Sequence, residues 1–303
     1  MFILKKLTYF GVIFCRVLMD FCSLEKSKCK KLIFRSPLQY KEVCHPALDA
    51  RSPKSTIIMT YKAEKIVPYE SNDAPKSAQI ERMFDEVAEK YDFLNHTLSM
   101  GIDKSWRRKG ILSLKAYAPQ QILDVATGTG DLALDAYRLL KPQKILGIDI
   151  SENMMEIGRA KVVKAGLSEV IDFEWQNCIC LQLDSDSFDA AIVAFGIRNF
   201  EDLDKGLLEI RRVLRPGGRL MILELSSPEH FPMKQGYRLY SSLIPKIGQW
   251  ISSSKAAYKY LPKSISAFPQ NAEMAAILEK TGFSDVTYRK LTGGICTLYL
   301  ARK

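Results

Sequence analysis

From residue 120 onward the apolar residues fall in short blocks of two alternating kinds. Gln121–Ala126 (QILDVA), Lys144–Ile150 (KILGIDI), Ile171–Gln176, Phe188–Ala194 (FDAAIVA) and Arg219–Leu225 (RLMILEL) are short, rich in aliphatic side chains and bounded by Gly, Asp or Ser. Such runs predict buried strands. Between them, Asp131–Leu140, Asn153–Gly166 and Asp202–Leu214 carry helical spacing. In the last of these, Leu203, Leu207, Ile210 and Leu214 share one face, and Gly166 is placed to stop the second. Strands alternating with helices at this spacing imply right-handed βαβ units and a parallel sheet covered on both faces. Asp285–Leu291 and Ile295–Ala301 flank the short Thr292-Gly293-Gly294 turn and predict a closing hairpin, so that one edge strand runs antiparallel. The expected fold class is α/β, a doubly wound Rossmann-like sheet of seven strands with the last strand antiparallel and helices on both faces.

The first 58 residues do not share this pattern. Residues 7–21 are apolar but contain Arg16, and the run is too short to span a bilayer comfortably. Lys5 and Lys6 before it give a loose likeness to a signal peptide, without a small-residue cleavage site. Residues 26–55 have neither helical nor strand periodicity. Met59 precedes a stretch that reads like an ordinary protein start, so 1–58 is expected to be a mis-assigned or unstructured extension, with a peripheral membrane anchor as the alternative. The charge supports this division. The chain carries a formal +10, but residues 1–58 hold eleven Lys or Arg against four Asp or Glu, which leaves 33 against 30 in the remainder. A near-neutral folded part without an aromatic-basic groove argues against nucleic-acid binding. Four of the seven cysteines, Cys15, Cys22, Cys29 and Cys44, also lie in the extension. None forms a CxxC pair, and Cys178 and Cys180 have no neighbouring His to complete a zinc site, so ordinary thiols in a reducing cytoplasm and no metal are expected.

The most informative segment is Asp124–Asp131, D-V-A-T-G-T-G-D. A strand ends, Gly128 and Gly130 turn the chain, and a helix begins, which is where open α/β sheets bind ligands. Glycine lets the backbone approach a ligand without a Cβ in the way. The dinucleotide fingerprint needs a third glycine, and here Leu132 and Ala133 come next. Asp131 at the helix start would also repel a phosphate that the helix dipole attracts. The loop suits a ligand without phosphates. S-adenosylmethionine is one; it carries a sulfonium and an ammonium that Asp124 or Asp131 can attract. Asp149 ends the second strand, where an acidic side chain can hold both ribose hydroxyls; Ser151 is free to serve as the helix cap in its place. Asn177, after the third strand, is within reach of an adenine edge or is a simple turn residue.

At this point further segments join the argument. Asp124–Leu132, Gly147–Met155 (G-I-D-I-S-E-N-M-M), Phe195–Phe200 (F-G-I-R-N-F), Arg212–Pro228, Met83–Arg107, Tyr258–Pro269 and Leu291–Ile295 (L-T-G-G-I) together resemble the ubiquinone/menaquinone biosynthesis C-methyltransferases, the UbiE/MenG family. The resemblance runs from about Ser77 to Lys303. The glycine loop and the Pro-Gly-Gly turn are common to many class I S-adenosylmethionine methyltransferases, whereas Y-D-x-x-N, F-G-x-R-N and L-T-G-G-I are specific. The resemblance implies the class I methyltransferase fold. It implies a methyltransferase domain over 59–303, with a helical lid at about 77–118 and a substrate-binding insertion at about 228–270. It implies S-adenosylmethionine contacts at Thr129, Asp149, Asn177 and Cys178, besides the loop residues Asp124, Gly128 and Gly130. The family often has a smaller residue at the position of Cys178, and some members have Ser at that of Ala194, where this chain has lost the hydroxyl.

The implied reaction is methylation of a ring carbon of a reduced polyprenyl quinone, with demethylmenaquinol preferred and a polyprenyl methoxy-benzoquinol as the alternative. An electron-rich hydroquinone carbon can attack a sulfonium methyl in line, and a base or positioned water must take the displaced protons. Arg198, after the fourth strand, is the first catalytic candidate: a guanidinium stabilises a developing phenolate. The bland reading pairs it with Glu201 or Asp202 at the surface. Asn199 would orient Arg198 or the substrate. Tyr91 and Asp92 fall in the lid, where Tyr91 can bond a substrate oxygen. Tyr237–Trp250, Tyr258, Tyr260 and Leu261 would line a channel for the polyprenyl tail. The resemblance also leaves room for a homodimer and for peripheral contact with the inner face of the cell membrane. The rival readings are another small-molecule methyltransferase, a nicotinamide-dependent oxidoreductase and a non-enzymatic nucleoside-binding module.

Overall fold

A computed structural model describes residues 61–70, 73–251 and 255–303; side chains are described for these except from 243 to 255. The 1–58 extension, Met59 and the side chains of the tail-channel candidates from 243 to 250 lie outside the described residues. Two helices come first, α1 (Lys76–Leu98) and α2 (Ile102–Leu112), joined through Gly101 in the left-handed conformation at φ 73°. Next come β1 (Gln121–Val125), α3 (Asp131–Leu140), β2 (Lys144–Asp149), α4 (Glu152–Lys164), β3 (Ile171–Trp175), β4 (Phe188–Ala194), α5 (Leu203–Val213) and β5 (Leu214–Leu225). The chain then forms α6 (Met233–Ile251), α7 (Lys255–Ala267), α8 (Ala272–Lys280), β6 (Ser284–Leu291) and β7 (Cys296–Arg302).

The seven strands form one sheet in the order β3-β2-β1-β4-β5-β7-β6. All neighbours up to β5 pair in parallel; β7 pairs antiparallel with both β5 and β6. The last strand is antiparallel, as expected, but it is inserted between β5 and β6 and not at the edge where the hairpin pattern puts it. The βαβ pattern and the reversal of strand order at β1 and β4 put a crevice at the carboxyl ends of those strands.

The central strands are buried on both faces. Adjacent residues alternate between two cores: Leu123, Val125, Val193, Leu207 and Ile210 pack on one side, and Ile122, Ile145, Met155, Phe173, Ile192 and Leu223 on the other. The edge strand β3 alternates buried and exposed positions until its last residue, as an edge with one wet face should. β5 starts earlier than the sequence pattern suggests: Leu214 already pairs with Phe188, and the Pro216-Gly217-Gly218 turn is an irregularity within the ladder. Ser151 caps α4, its hydroxyl accepting from the Met154 amide at 3.3 Å, which leaves Asp149 free for other work.

Candidate active site

The loop between β1 and α3 is held by the strand beside it. The Thr127 amide donates to the Ile148 carbonyl (3.0 Å), and the Gly128 amide donates to Asp149 Oδ2 (2.8 Å). Asp149 Oδ1 accepts from the Ser151 amide at 3.0 Å. A carboxylate has about four acceptor sites, so Asp149 retains capacity for hydroxyl donors. Burial raises its pKa, opposed by the Ser151, Gly128 and Ile150 amides. Gly130 starts α3 at φ 75°, and a Cβ there would lie 2.8 Å from Phe173 Cζ. Gly147 and Gly158 press on the same ring, with added Cβ atoms at 2.6 and 3.2 Å. Gly130 thus sets how closely α3 and α4 seat on the sheet.

Above this loop lies a cleft of about 700 Å³. Its walls include Gly128 and Asp149, Gln176 to Cys178 after β3, Ala194 to Gly196 and Asn199 to Glu201 after β4, and Ser77, Phe84 and Tyr91 of α1. Among the described residues no Lys, Arg or His lines it, while Asp149 and Glu201 do. A hollow of about 470 Å³ adjoins it, sharing Tyr91, Gly128 and Phe195 and adding Asp92, Asn95, His96, Arg107, Thr129 and Asp131. The sequence candidates Gly128, Thr129, Asp149, Asn177, Cys178, Tyr91, Asp92 and Asn199 all meet on these two walls. Asp124, Gly130 and Arg198 do not; they lie behind them.

Asp124 is fully buried beneath the loop. Its Oδ2 accepts from Thr127 Oγ1 at 2.7 Å, and Oδ1 lacks a well-formed hydrogen bond, although the Ala133 amide exerts a pull. Burial raises its pKa to about 7, and the nearby Asp149 charge adds to the rise. Asn177 forms a turn, its Oδ1 accepting from the Ile179 amide at 3.2 Å. Burial pushes the Cys178 thiol upward, so it stays protonated.

Asp92 of α1 is tied to the loop between β1 and α3 rather than free. Its Oδ1 accepts from Thr129 Oγ1 at 2.5 Å, and its Oδ2 pairs with Lys161 of α4. Lys161 also reaches Asp131 at 2.8 Å. Arg107 of α2 binds Asp103 (2.7 Å), Asp135 (2.9 Å) and Asp131 (3.3 Å), and His96 Nδ1 lies 2.9 Å from Asp103. Helices α1 and α2 are therefore fastened to α3 and α4 by ion pairs around the smaller hollow.

Arg198 sits in a short 3-10 turn, Ile197–Asn199, after β4. It is not paired at the surface with Glu201 or Asp202. It is 7 % exposed and its Nη1 binds Glu224 Oε1 at 2.9 Å and the Phe195 carbonyl. Glu224 of β5 is 1 % exposed; its Oε2 also accepts from the Arg198 amide at 3.3 Å and Oε1 from the Leu225 amide at 2.8 Å. Burial works against the Arg198 charge, but Glu224, with smaller contributions from Tyr260 and Tyr91, offsets it and raises the pKa. Arg198 Nε has no hydrogen-bond partner among the described residues, so one buried donor is available at the turn. Next to it, Asn199 Oδ1 accepts from the Tyr260 hydroxyl of α7 at 3.0 Å. Tyr91 packs edge-on to Phe84 at 5.8 Å, and burial raises its pKa. Among the described residues no group of three or more His, Cys, Asp or Glu side chains is placed to hold a metal ion.

Residues 72–303 match the model of the ubiE/COQ5 methyltransferase family. The chain belongs to that family. A demethylmenaquinone methyltransferase of Bacteroides fragilis is 57 % identical over 81 % of this chain and all of its own length. One from Porphyromonas gingivalis is 46 % identical over 79 % of this chain and 98 % of its own. A ubiquinone/menaquinone biosynthesis C-methyltransferase of Geotalea daltonii is 44 % identical over 75 % and 97 %. Among solved structures, human N-acetylserotonin methyltransferase in complex with S-adenosylmethionine matches with a TM-score of 0.56 at 19 % identity, over 79 % of this chain and 63 % of that one. The sheet is that of the class I S-adenosylmethionine methyltransferases.

Several groups around this cleft are not singled out by local sequence. Glu224, Lys161 and Arg107 act across 24 to 69 residues of chain, and Tyr260, expected in the tail channel, instead bonds Asn199. Only Glu224 carried a signal, an acidic residue inside an otherwise apolar strand, RLMILEL.

Proposed function

We propose that this chain transfers a methyl group from S-adenosylmethionine to a ring carbon of demethylmenaquinol in menaquinone biosynthesis. The observation that carries the cofactor is the cleft wall: a glycine-held approach at Gly128, an acceptor carboxylate at Asp149, two carboxylates in all and, among the described residues, no basic side chain. Those features suit a cationic nucleoside and disfavour a pyrophosphate. Asp149 would accept from the ribose hydroxyls, Asn177 and Cys178 would border the adenine, and the smaller hollow, with charges of both signs, would take the amino-acid end. Bound there, S-adenosylmethionine supplies an electrophilic methyl on a sulfonium.

The quinol ring would lie on the Phe195–Asn199 side. Arg198, held charged by Glu224 behind the cleft wall, would favour a phenolate at the ring oxygen by its charge and through a water on Nε, which makes the ring carbon more nucleophilic. The Asn199 amide, fixed by Tyr260, and the Tyr91 hydroxyl orient that oxygen. As the carbon–methyl bond forms the methyl–sulfur bond breaks, and the ring carbon, now tetrahedral, then gives up its proton to a water, since the Arg198 guanidinium does not deprotonate to act as base. Most of the rate enhancement comes from holding the reacting atoms in line and dry under the α1–α2 lid. The segment 228–270 supports the polyprenyl tail, with Tyr258 and Tyr260 already buried against α1.

No described helix is long and apolar enough to cross a membrane. The reading has the chain act in the cytoplasm, in peripheral contact with the membrane that dissolves its substrate, with exposed Phe231 and Leu239 flanking the start of α6 as apolar side chains that such a contact would cover. Methyl-transfer assays with demethylmenaquinol and with a methoxy-benzoquinol test the substrate; turnover of the second alone would transfer the reading to ubiquinone biosynthesis. Arg198→Ala tests the site: turnover should vanish while S-adenosylhomocysteine affinity stays within a few-fold. Equal loss of both would remove Arg198 from catalysis.

A further inference from the structure

Lys76 occupies a place that neither helix propensity nor burial explains. It is the first residue of α1, where a positive charge opposes the helix dipole. It is also only 5 % exposed, and removing an ammonium from water costs several kcal/mol unless its donors are matched. No contact ion pair compensates it among the described residues; Glu64 and Glu201 act on it at longer range. Burial accordingly lowers its pKa to about 8.

Its donors go to backbone carbonyls. Nζ reaches the carbonyl of Ala63 at 2.8 Å, of Phe200 at 3.1 Å and of Arg198 at 3.5 Å. The last two stand at the carboxyl end of the Ile197–Asn199 turn, where carbonyls lose their partners within the turn and attract a cation. The other end of the same turn is held by Glu224, through the Arg198 amide and side chain. The neighbouring Ser77 amide donates to Glu201 at 3.4 Å, so the start of α1 is docked on this loop by two contacts.

We propose that Lys76 is a positioning residue for methyl transfer: its ammonium caps the carbonyl end of the turn and fixes Arg198 and Asn199 relative to the cleft. The inference rests on the reading that these two residues serve catalysis. A displacement of about 1 Å at a reacting group can lower a rate about 100-fold, so losing one of two anchors should be visible in kcat.

The test uses the full chain and Lys76→Met, which keeps the stem and removes the charge and donors. Turnover of demethylmenaquinol, its KM, S-adenosylhomocysteine affinity by calorimetry and Tm are measured together. The expected result is a kcat lowered about 10- to 100-fold with KM and S-adenosylhomocysteine affinity within a few-fold. Tyr61→Phe is the control: it loses the 2.7 Å bond to Asp204 that fastens the same N-terminal segment, keeps the ring, leaves the hydrogen bonds of Lys76 to the turn in place, and should keep kcat. A Lys76→Met enzyme with normal kcat, or one in which kcat and S-adenosylhomocysteine affinity fall by the same factor, overturns the proposal. If that variant does not fold, Lys76→Gln is read by the same criteria; failure of both to fold makes Lys76 a stability residue and overturns the proposal as well. Arg198→Ala run alongside separates the levels: inactive Arg198→Ala with active Lys76→Met sinks only this inference, whereas active Arg198→Ala sinks the reading beneath it.

Discussion

Replacing Asp124 by Asn should change how stability depends on pH more than it changes stability itself. The carboxylate is buried, its folded pKa is raised to about 7, and an unfolded Asp titrates near 3.8. Between those values the folded protein binds the proton and the unfolded chain does not. Stability from this group is therefore complete below about 3.8 and is lost as the pH rises through about 7. From pH 5 to pH 8 the folded state forgoes about two pH units of this difference, which is about 3 kcal/mol. For a folded region of this size, that corresponds to about 6–12 °C in Tm. Asn cannot ionise, but it still offers an oxygen to Thr127 Oγ1, so the 2.7 Å bond survives. Its amide nitrogen adds a cost that does not vary with pH, and the comparison must be one of slopes. Calorimetric scans of both proteins across pH 5–8 should show the Tm of Asp124→Asn relative to wild type climbing with pH. Parallel curves would mean that Asp124 is not held protonated near neutrality, and the reasoning from its burial would fail. Titrating S-adenosylmethionine and S-adenosylhomocysteine at pH 8 adds a functional reading. If the ionised carboxylate draws the sulfonium through the loop, the variant loses affinity for the first more than for the second.

Glu224→Gln should destabilise the fold by about 3–5 kcal/mol in urea titrations, because it leaves the Arg198 charge buried without its partner, and it should also lower kcat. Gly130→Ala forces a Cβ to 2.8 Å from Phe173 Cζ at φ 75°, which predicts a loss of about 2 kcal/mol that Phe173→Leu partly restores; an Ala variant as stable as wild type would refute the packing account. Lys161→Met releases the partly exposed ties of α4 to Asp92 of α1 and Asp131 of α3, so stability should drop by less than about 1 kcal/mol while the KM for S-adenosylmethionine rises several-fold in steady-state assays.

How much of the molecule is legible in its sequence depends on the range of the forces involved. The strands and helices were legible because each buries its own face: Leu203, Leu207 and Ile210 meet the core at helical spacing, and β1 and β4 are mostly apolar at successive positions because both faces of the sheet are covered. Ser151 was legible as a cap for the same reason, its partner being three residues away. Even the turn carrying Arg198 was legible, through its F-G-I-R-N-F motif. Its environment was not. The sequence offers Glu201 and Asp202 as partners, three and four residues away, and the fold chooses Glu224 on the next strand. The placement of β7 inside the sheet escaped local reading likewise, since a hairpin pattern fixes that two strands pair but not which of them faces β5.

The residues that escaped local reading share a property that says something about how this site works. Glu224 and Lys76 are charges kept in the interior, where each is unfavourable alone, and both act on the one turn that presents Arg198 and Asn199. Water cannot readily replace either contact, so the turn is fixed before substrate arrives, and the work of orientation is done in folding rather than at the reacting step. The ties on the other wall, Asp92 to Lys161 and Lys161 to Asp131, are partly exposed, where water competes with each bond and salt screens it. The cleft therefore has one rigid wall and one that opens at little cost. That division suits the proposed reaction, in which the nucleoside must leave after every turnover while Arg198 and Asn199, as proposed to act on the quinol oxygen, must not move.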